Sequence, residues 1–67
     1  MIEVTVNGDA RRFERPLAVS ALLETMSLTG KKIAVEKNGE IVPKSLHKNT
    51  LIDDGDSLEI VVAVGGG

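Results

Sequence analysis

Apolar and polar residues alternate along the first seven positions. Ile2, Val4 and Val6 interleave with Glu3, Thr5 and Asn7, the period-2 signature of a strand with one buried face. Asn7-Gly8 follows, a pair in which both residues tolerate the positive φ of a type I′ hairpin turn. Ala10 to Glu14 reads as the returning strand, with Phe13 as its inward anchor, and Pro16 ends it. The period then changes. Val19, Leu22, Leu23 and Met26 fall at i, i+3, i+4 and i+7, which predicts an amphipathic helix over about Ala18 to Met26. Its start is weakly marked, because neither Leu17 nor Ala18 is a good capping residue. Gly30 marks its end or the turn beyond it.

Strand patterning returns at Ile33-Ala34-Val35, largely apolar and so expected as a central strand. Asn38-Gly39 supplies a second hairpin turn, and Glu40-Ile41-Val42 runs back to Pro43. Lys44 to Thr50 is polar, with Leu46 the one clear candidate for burial and a short 3₁₀ turn expected. Leu51-Ile52 reads as a small strand or a covered loop, and Asp53-Asp54-Gly55-Asp56 as a tight turn. Leu58, Ile60, Val62 and Val64 alternate with Glu59, Val61 and Ala63 in a last strand that leads into Gly65-Gly66-Gly67. The order is β-β-α-β-β-loop-β. One helix on one face of a small mixed sheet buries such a single apolar stripe economically. With the first and last strands adjacent at the centre, the expected class is α+β, the β-grasp arrangement of ubiquitin-like proteins. The expected division is a domain over residues 1–64 and a flexible glycine tail over 65–67.

Composition narrows the function. A chain of 67 residues buries only about 60% of the surface its unfolded form exposes. It can build one modest core but no deep, walled active site. The lone aromatic is Phe13, so that core is aliphatic. There is no cysteine, which argues against a small secreted disulfide scaffold and leaves no thiol to carry sulfur. No apolar run approaches the roughly 20 residues that span a bilayer, and the N-terminus does not read as a signal peptide. The expected location is cytoplasmic, with no membrane partner. A formal net charge of −2 argues against nucleic acid as a ligand and directs attention to basic partner surfaces.

The tail is the candidate reactive element. Three residues without side chains order at high entropic cost, yet they are thin enough to thread a narrow slot. Extended, three or four residues reach roughly 10–14 Å, far enough to carry a terminal carboxylate into another protein's active site. A carboxylate with a pKa of about 3.5 is ionised at neutral pH and becomes electrophilic only when one oxygen is made a leaving group, for example by adenylation. The chain has no G-x-x-x-x-G-K-[ST] loop and no G-x-G-x-x-G after a strand, so activation must come from a separate protein. The chain then reads as a substrate or carrier rather than an enzyme. Composition equally fits a flexible glycine linker with no chemistry of its own.

The whole chain resembles the ThiS family, the sulfur carrier proteins of thiamin biosynthesis. The resemblance is carried by the opening Ile2-to-Gly8 segment and by the central hairpin from Ala34 to Lys44. It is completed by Asp54-Gly55-Asp56-Ser57-Leu58-Glu59-Ile60-Val61 with Ala63-Val64-Gly65-Gly66-Gly67. It implies that the Gly67 carboxylate is adenylated by a separate ThiF-type, E1-like enzyme that consumes ATP. A sulfur donor protein would then supply the atom that makes it a thiocarboxylate. Gly65 and Gly66 would thread the partner active sites, and a ThiG-type thiazole synthase would take the sulfur. The chain itself would bind no cofactor. The small subunit of molybdopterin synthase shares the fold and the Gly-Gly end, though it is usually longer. A non-transferring β-grasp interaction module is the alternative from a different class.

Other features have plainer explanations. Asp53, Asp54 and Asp56 lack the distal Glu of an EF-hand and read as a turn whose carboxylates accept local backbone N–H groups. No metal site is expected. His47 reads as a surface residue in a polar loop. Arg11, Arg12 and Arg15, and likewise Lys31 and Lys32, read as solvated faces. Val61 and Ala63 differ, since alternation turns them away from the helix. Apolar residues on that face, just before the tail, form a candidate docking patch.

Overall fold

The computed structural model describes residues 1–63, so Val64, expected in the last strand, lies outside the described residues. Seven strands form around one helix: β1 Ile2–Val6, β2 Asp9–Phe13, β3 Leu17–Ala18, β4 Ile33–Lys37, β5 Glu40–Val42, β6 Leu51–Ile52 and β7 Ser57–Val62. Helix α1 spans Val19–Thr25, and a 3₁₀ turn spans Lys44–Leu46. The main sheet runs β2-β1-β7-β4-β5. The first and last strands are parallel neighbours, with Thr5 opposite Ser57, and β7 is antiparallel to β4. This is the expected β-grasp arrangement. The middle strand is β7, flanked by β1 and β4, so β4 lies beside the centre rather than at it, with β2 and β5 at the edges.

Alternation decides which side chains meet the helix. Ile2, Val4 and Val6 from β1, Leu58 and Ile60 from β7, Val35 and Val42 bury their side chains against Val19, Leu22 and Leu23 of α1. Phe13 is only half-buried against this core. Ile52 is fully buried, so the expected small strand forms and belongs to the core. It pairs with Leu17, and Leu51 pairs with Ala18, in a second, two-stranded sheet. The strand at Leu17–Ala18 was not expected, because two residues are too few to show a period. Val62 is partly exposed at the end of the sheet, although its position in the alternation points inward.

The weak sequence signal at the helix start has a structural counterpart. Ala18 makes no side-chain cap. Instead the Val19 N–H donates to the Thr50 carbonyl at 2.9 Å and the Ser20 N–H to the His47 carbonyl at 3.0 Å. Backbone from the distant 47–50 loop thus satisfies donors that a Ser or Asp side chain commonly takes. At the other end Ser27 adopts φ 58°. The Leu28 N–H reaches the Leu23 carbonyl and the Ser27 N–H the Glu24 carbonyl, the bond pair of a Schellman motif. Gly30, at φ +87°, lies in the turn that follows.

Two expectations about the 44–50 segment are reversed. Leu46 is 47% exposed and His47 only 8% exposed. The 3₁₀ turn points Leu46 outward and swings the imidazole under β5, where Nε2 lies 3.1 Å from the Val42 carbonyl. Since a carbonyl only accepts, Nε2 carries the hydrogen. A satisfied polar ring is an acceptable core residue. His47 is therefore a buried strut, not a surface side chain.

The strand that leads toward the tail is held from both sides by asparagines. Asn7 and Asn38 each take φ 51° ahead of a glycine at φ +86°, the φ pattern of type I′ turns. The Asn7 side chain donates to the Ile60 carbonyl at 3.0 Å and accepts from the Ile60 N–H at 2.7 Å. It supplies the next rung beside β7 after β1 has turned away. On the other edge the Asn38 N–H donates to the Ser57 carbonyl at 2.7 Å. Its side-chain oxygen accepts from the Ser57 N–H at 2.9 Å.

Candidate functional site

Gly65, Gly66 and Gly67, expected to carry the chemistry, lie outside the described residues. What the structure describes is the platform from which they continue. Ala63, the last described residue, donates its N–H to the Lys32 carbonyl at 2.9 Å. The end of β7 is thereby fixed beside the start of β4, where Val62 pairs with Ile33.

Val61 and Ala63 are both exposed, as expected, with Val61 61% accessible. Val61 sits directly opposite Ala34, which is also exposed. Ile41 of β5, 76% exposed, belongs to the same outer face, because its neighbour Val42 points into the core. The apolar surface thus extends beyond the two residues singled out from the sequence, with Ile41 opposite Glu36 rather than Ala34. Ala34 and Ile41 could have been found by applying the same period-2 test to the central hairpin.

A charge pattern accompanies that surface. Glu36 lies opposite Glu59 across β4 and β7, and opposite Ile41 across β4 and β5. Both carboxylates are exposed, and neither is ion-paired among the described residues. Like charges directly opposite each other weaken a sheet. At the far side of the same face, by contrast, Glu3 pairs with Arg12 at 3.0 Å. The outer face of β7-β4-β5 therefore offers an apolar strip beside two uncompensated negative charges.

The acidic turn behaves as expected of a turn. Asp54 accepts from the Glu3 N–H at 2.8 Å, Asp53 from the Asp54 N–H at 2.7 Å and Asp56 from the Asp53 N–H at 2.7 Å. Partial burial pushes the Asp56 carboxyl up, but hydrogen bonds from the Asp53 N–H and the Asn38 amide outweigh it. With the Lys37 ammonium 3.7 Å away, they hold it below the ordinary aspartate value. Among the described residues no group of His, Cys, Asp and Glu is arranged to hold a metal ion, and no helix is long and apolar enough to cross a membrane.

Comparison with known proteins agrees with this architecture. The family model described as ThiS family matches residues 4–67. The chain is 44% identical over 66 residues to a thiazole synthase of Paramagnetospirillum magneticum, covering 98% of this chain but only 20% of that protein. It is 35% identical over 66 residues to the uncharacterised protein ycf40 of Porphyra purpurea, covering 98% of this chain and 93% of that one. The crystal structure of a thiamine biosynthesis protein (ThiS) from Geobacter metallireducens superposes with a TM-score of 0.83 at 30% identity. That superposition covers 98% of this chain and 100% of the other. A family match from the first strand to the final glycine, on a β-grasp shared with that solved relative, establishes that the chain belongs to the ThiS family.

Proposed function

We propose that this chain is a sulfur carrier whose reactive group is the carboxylate of Gly67. One carboxylate oxygen attacks the α-phosphorus of ATP on a separate E1-like enzyme, and pyrophosphate leaves. A hydrosulfide equivalent from a donor protein then attacks the acyl carbon, AMP leaves, and a thiocarboxylate remains. A thiazole synthase takes the sulfur for the ring of thiamin. The chain contributes no catalytic side chain; it presents Gly65, Gly66 and Gly67 and docks beside them. The observation that carries this reading is the position of β7. The strand preceding the glycines is the middle of the sheet, and Val61, Ala34 and Ala63 form an exposed apolar patch where it ends, with Ile41 on the same face opposite Glu36. With Glu36 and Glu59 beside that patch, the partner face it fits is apolar with a cationic side chain over the paired carboxylates.

Intact-mass analysis after incubation with ATP, a sulfur donor and the activating enzyme tests the reading. The expected product shows one oxygen exchanged for sulfur, and removal of Gly67 abolishes it while the thermal unfolding transition is unchanged. A folded chain that never gains sulfur or an adenylate sinks the proposal.

A further inference from the structure

Four of the five lysines in this acidic chain gather at one place. Between the end of α1, the start of β4 and the 3₁₀ turn lies an open cavity of about 500 Å³. Leu23, Leu28 and Ile33, buried or half-buried against the core, form its floor. Lys31, Lys32, Lys44 and Lys48 stand exposed around its rim. Among the described residues Glu24 is the one carboxylate on the lining, and none of the four ammonium groups is ion-paired. The remaining lysine, Lys37, is engaged elsewhere, with the Leu51 carbonyl at 2.9 Å and Asp56. A chain of net charge −2 has thus separated its charges, with cations around an apolar hollow and bare carboxylates on the outer sheet face. Grouped like charges repel one another, and an anionic partner group removes that cost. The cavity also adjoins the root of the tail, since Lys32 on its rim accepts the Ala63 N–H.

We infer that this lysine-rimmed hollow is a docking site for an acidic segment of thiazole synthase that seats an apolar side chain between Leu23, Leu28 and Ile33. The choice of partner rests on the carrier reading above and on two observations. The last described residue, Ala63, is hydrogen-bonded to Lys32 on this rim. In addition, the region matching nearly all of this chain is part of the same polypeptide as a thiazole synthase in Paramagnetospirillum magneticum, where the two are held together covalently. Where two such regions meet by non-covalent contact, opposite charge speeds the encounter and fixes its register.

The test uses the full chain with Lys31→Glu, Lys32→Glu, Lys44→Glu and Lys48→Glu, and a parallel set with glutamine at the same four positions. Binding to purified thiazole synthase is titrated by calorimetry across ionic strength, and thiocarboxylate formation is followed separately by mass. The expected result is at least about a tenfold loss of affinity for the glutamate set, a smaller loss for the glutamine set, and a flattened salt dependence in both. Because all four side chains are exposed, the unfolding transition stays near that of the parent; the glutamine set decides the matter should the glutamate set fail to fold. Unchanged affinity for the synthase, or a defect confined to adenylation, overturns the inference while the carrier reading stands. A chain that never takes up sulfur but still binds the synthase through these lysines overturns the carrier reading alone.

Discussion

At Asn7 the turn and the sheet depend on one side chain. Its backbone takes the positive φ of the hairpin, and its amide pairs with both backbone groups of Ile60. Asn7→Gly keeps the permissive backbone and removes only the amide. We expect a loss of about 2 kcal/mol, the scale of two part-buried hydrogen bonds whose partners are left unmet. It is read as a lower denaturant midpoint at unchanged slope; an unchanged midpoint would show that the amide contacts contribute nothing. The Asn-Gly pair was legible in the sequence as a turn. Its grip on β7 was not, because the partner lies 53 positions away in the chain and no local pattern encodes that distance. His47 and Leu46 teach the same lesson in reverse. Hydropathy ranks Leu46 for burial, but the 3₁₀ turn fixes which side chain faces inward, and one hydrogen bond to Val42 makes the imidazole acceptable there.

Helix α1 is seven residues long, too short to hold itself together in water, so its ends and its buried stripe determine it. Val19, Leu22 and Leu23 were legible from their spacing. The start was not, because its donors are satisfied by carbonyls of His47 and Thr50 rather than by a neighbouring side chain. Gly30 falls in the turn beyond the helix, as read, while the cap itself places Ser27 in the left-handed region, a conformation that strains a residue with a Cβ atom. Ser27→Gly relieves that strain while preserving the Schellman bonds. We expect a gain of about 1 kcal/mol, seen as a rise of roughly 4–8 °C in the calorimetric midpoint for a domain of this size. A fall in the midpoint would mean that the serine side chain stabilises the cap. At this scale, too, the lysines change meaning. Lys31 and Lys32 read as a solvated pair, and only the fold brings Lys44 and Lys48 to the same rim.

Across the whole molecule, the main sheet was legible because β1 and β7 alternate and two Asn-Gly pairs mark the hairpins, whereas the two-residue β3 left no pattern. The chemistry was legible only as a string of glycines with a resemblance behind it, since a reactive terminus leaves no constellation of side chains to recognise. One whole-molecule property follows from the turn that joins β6 to β7. Because hydrogen bonds and Lys37 hold the Asp56 carboxyl below its ordinary value, its ionised form favours the folded state. That stability is fully present above the unfolded value of about 3.9, and it is lost as pH falls through the lower folded value. Denaturant midpoints should therefore drop in acid below about pH 4, and Asp56→Asn should flatten part of that drop while lowering stability at neutral pH. A variant with the parent's acid profile would exclude Asp56 as a contributor. The central place of β7 has a mechanical consequence as well. Anything pulling on the chain beyond Ala63 loads a strand laddered to β4 from Leu58 to Val62 and to β1 at Ser57 and Leu58, and along the strand axis that load is shear. The rungs share the tension and must fail together, so a partner can haul on the end without peeling the sheet open.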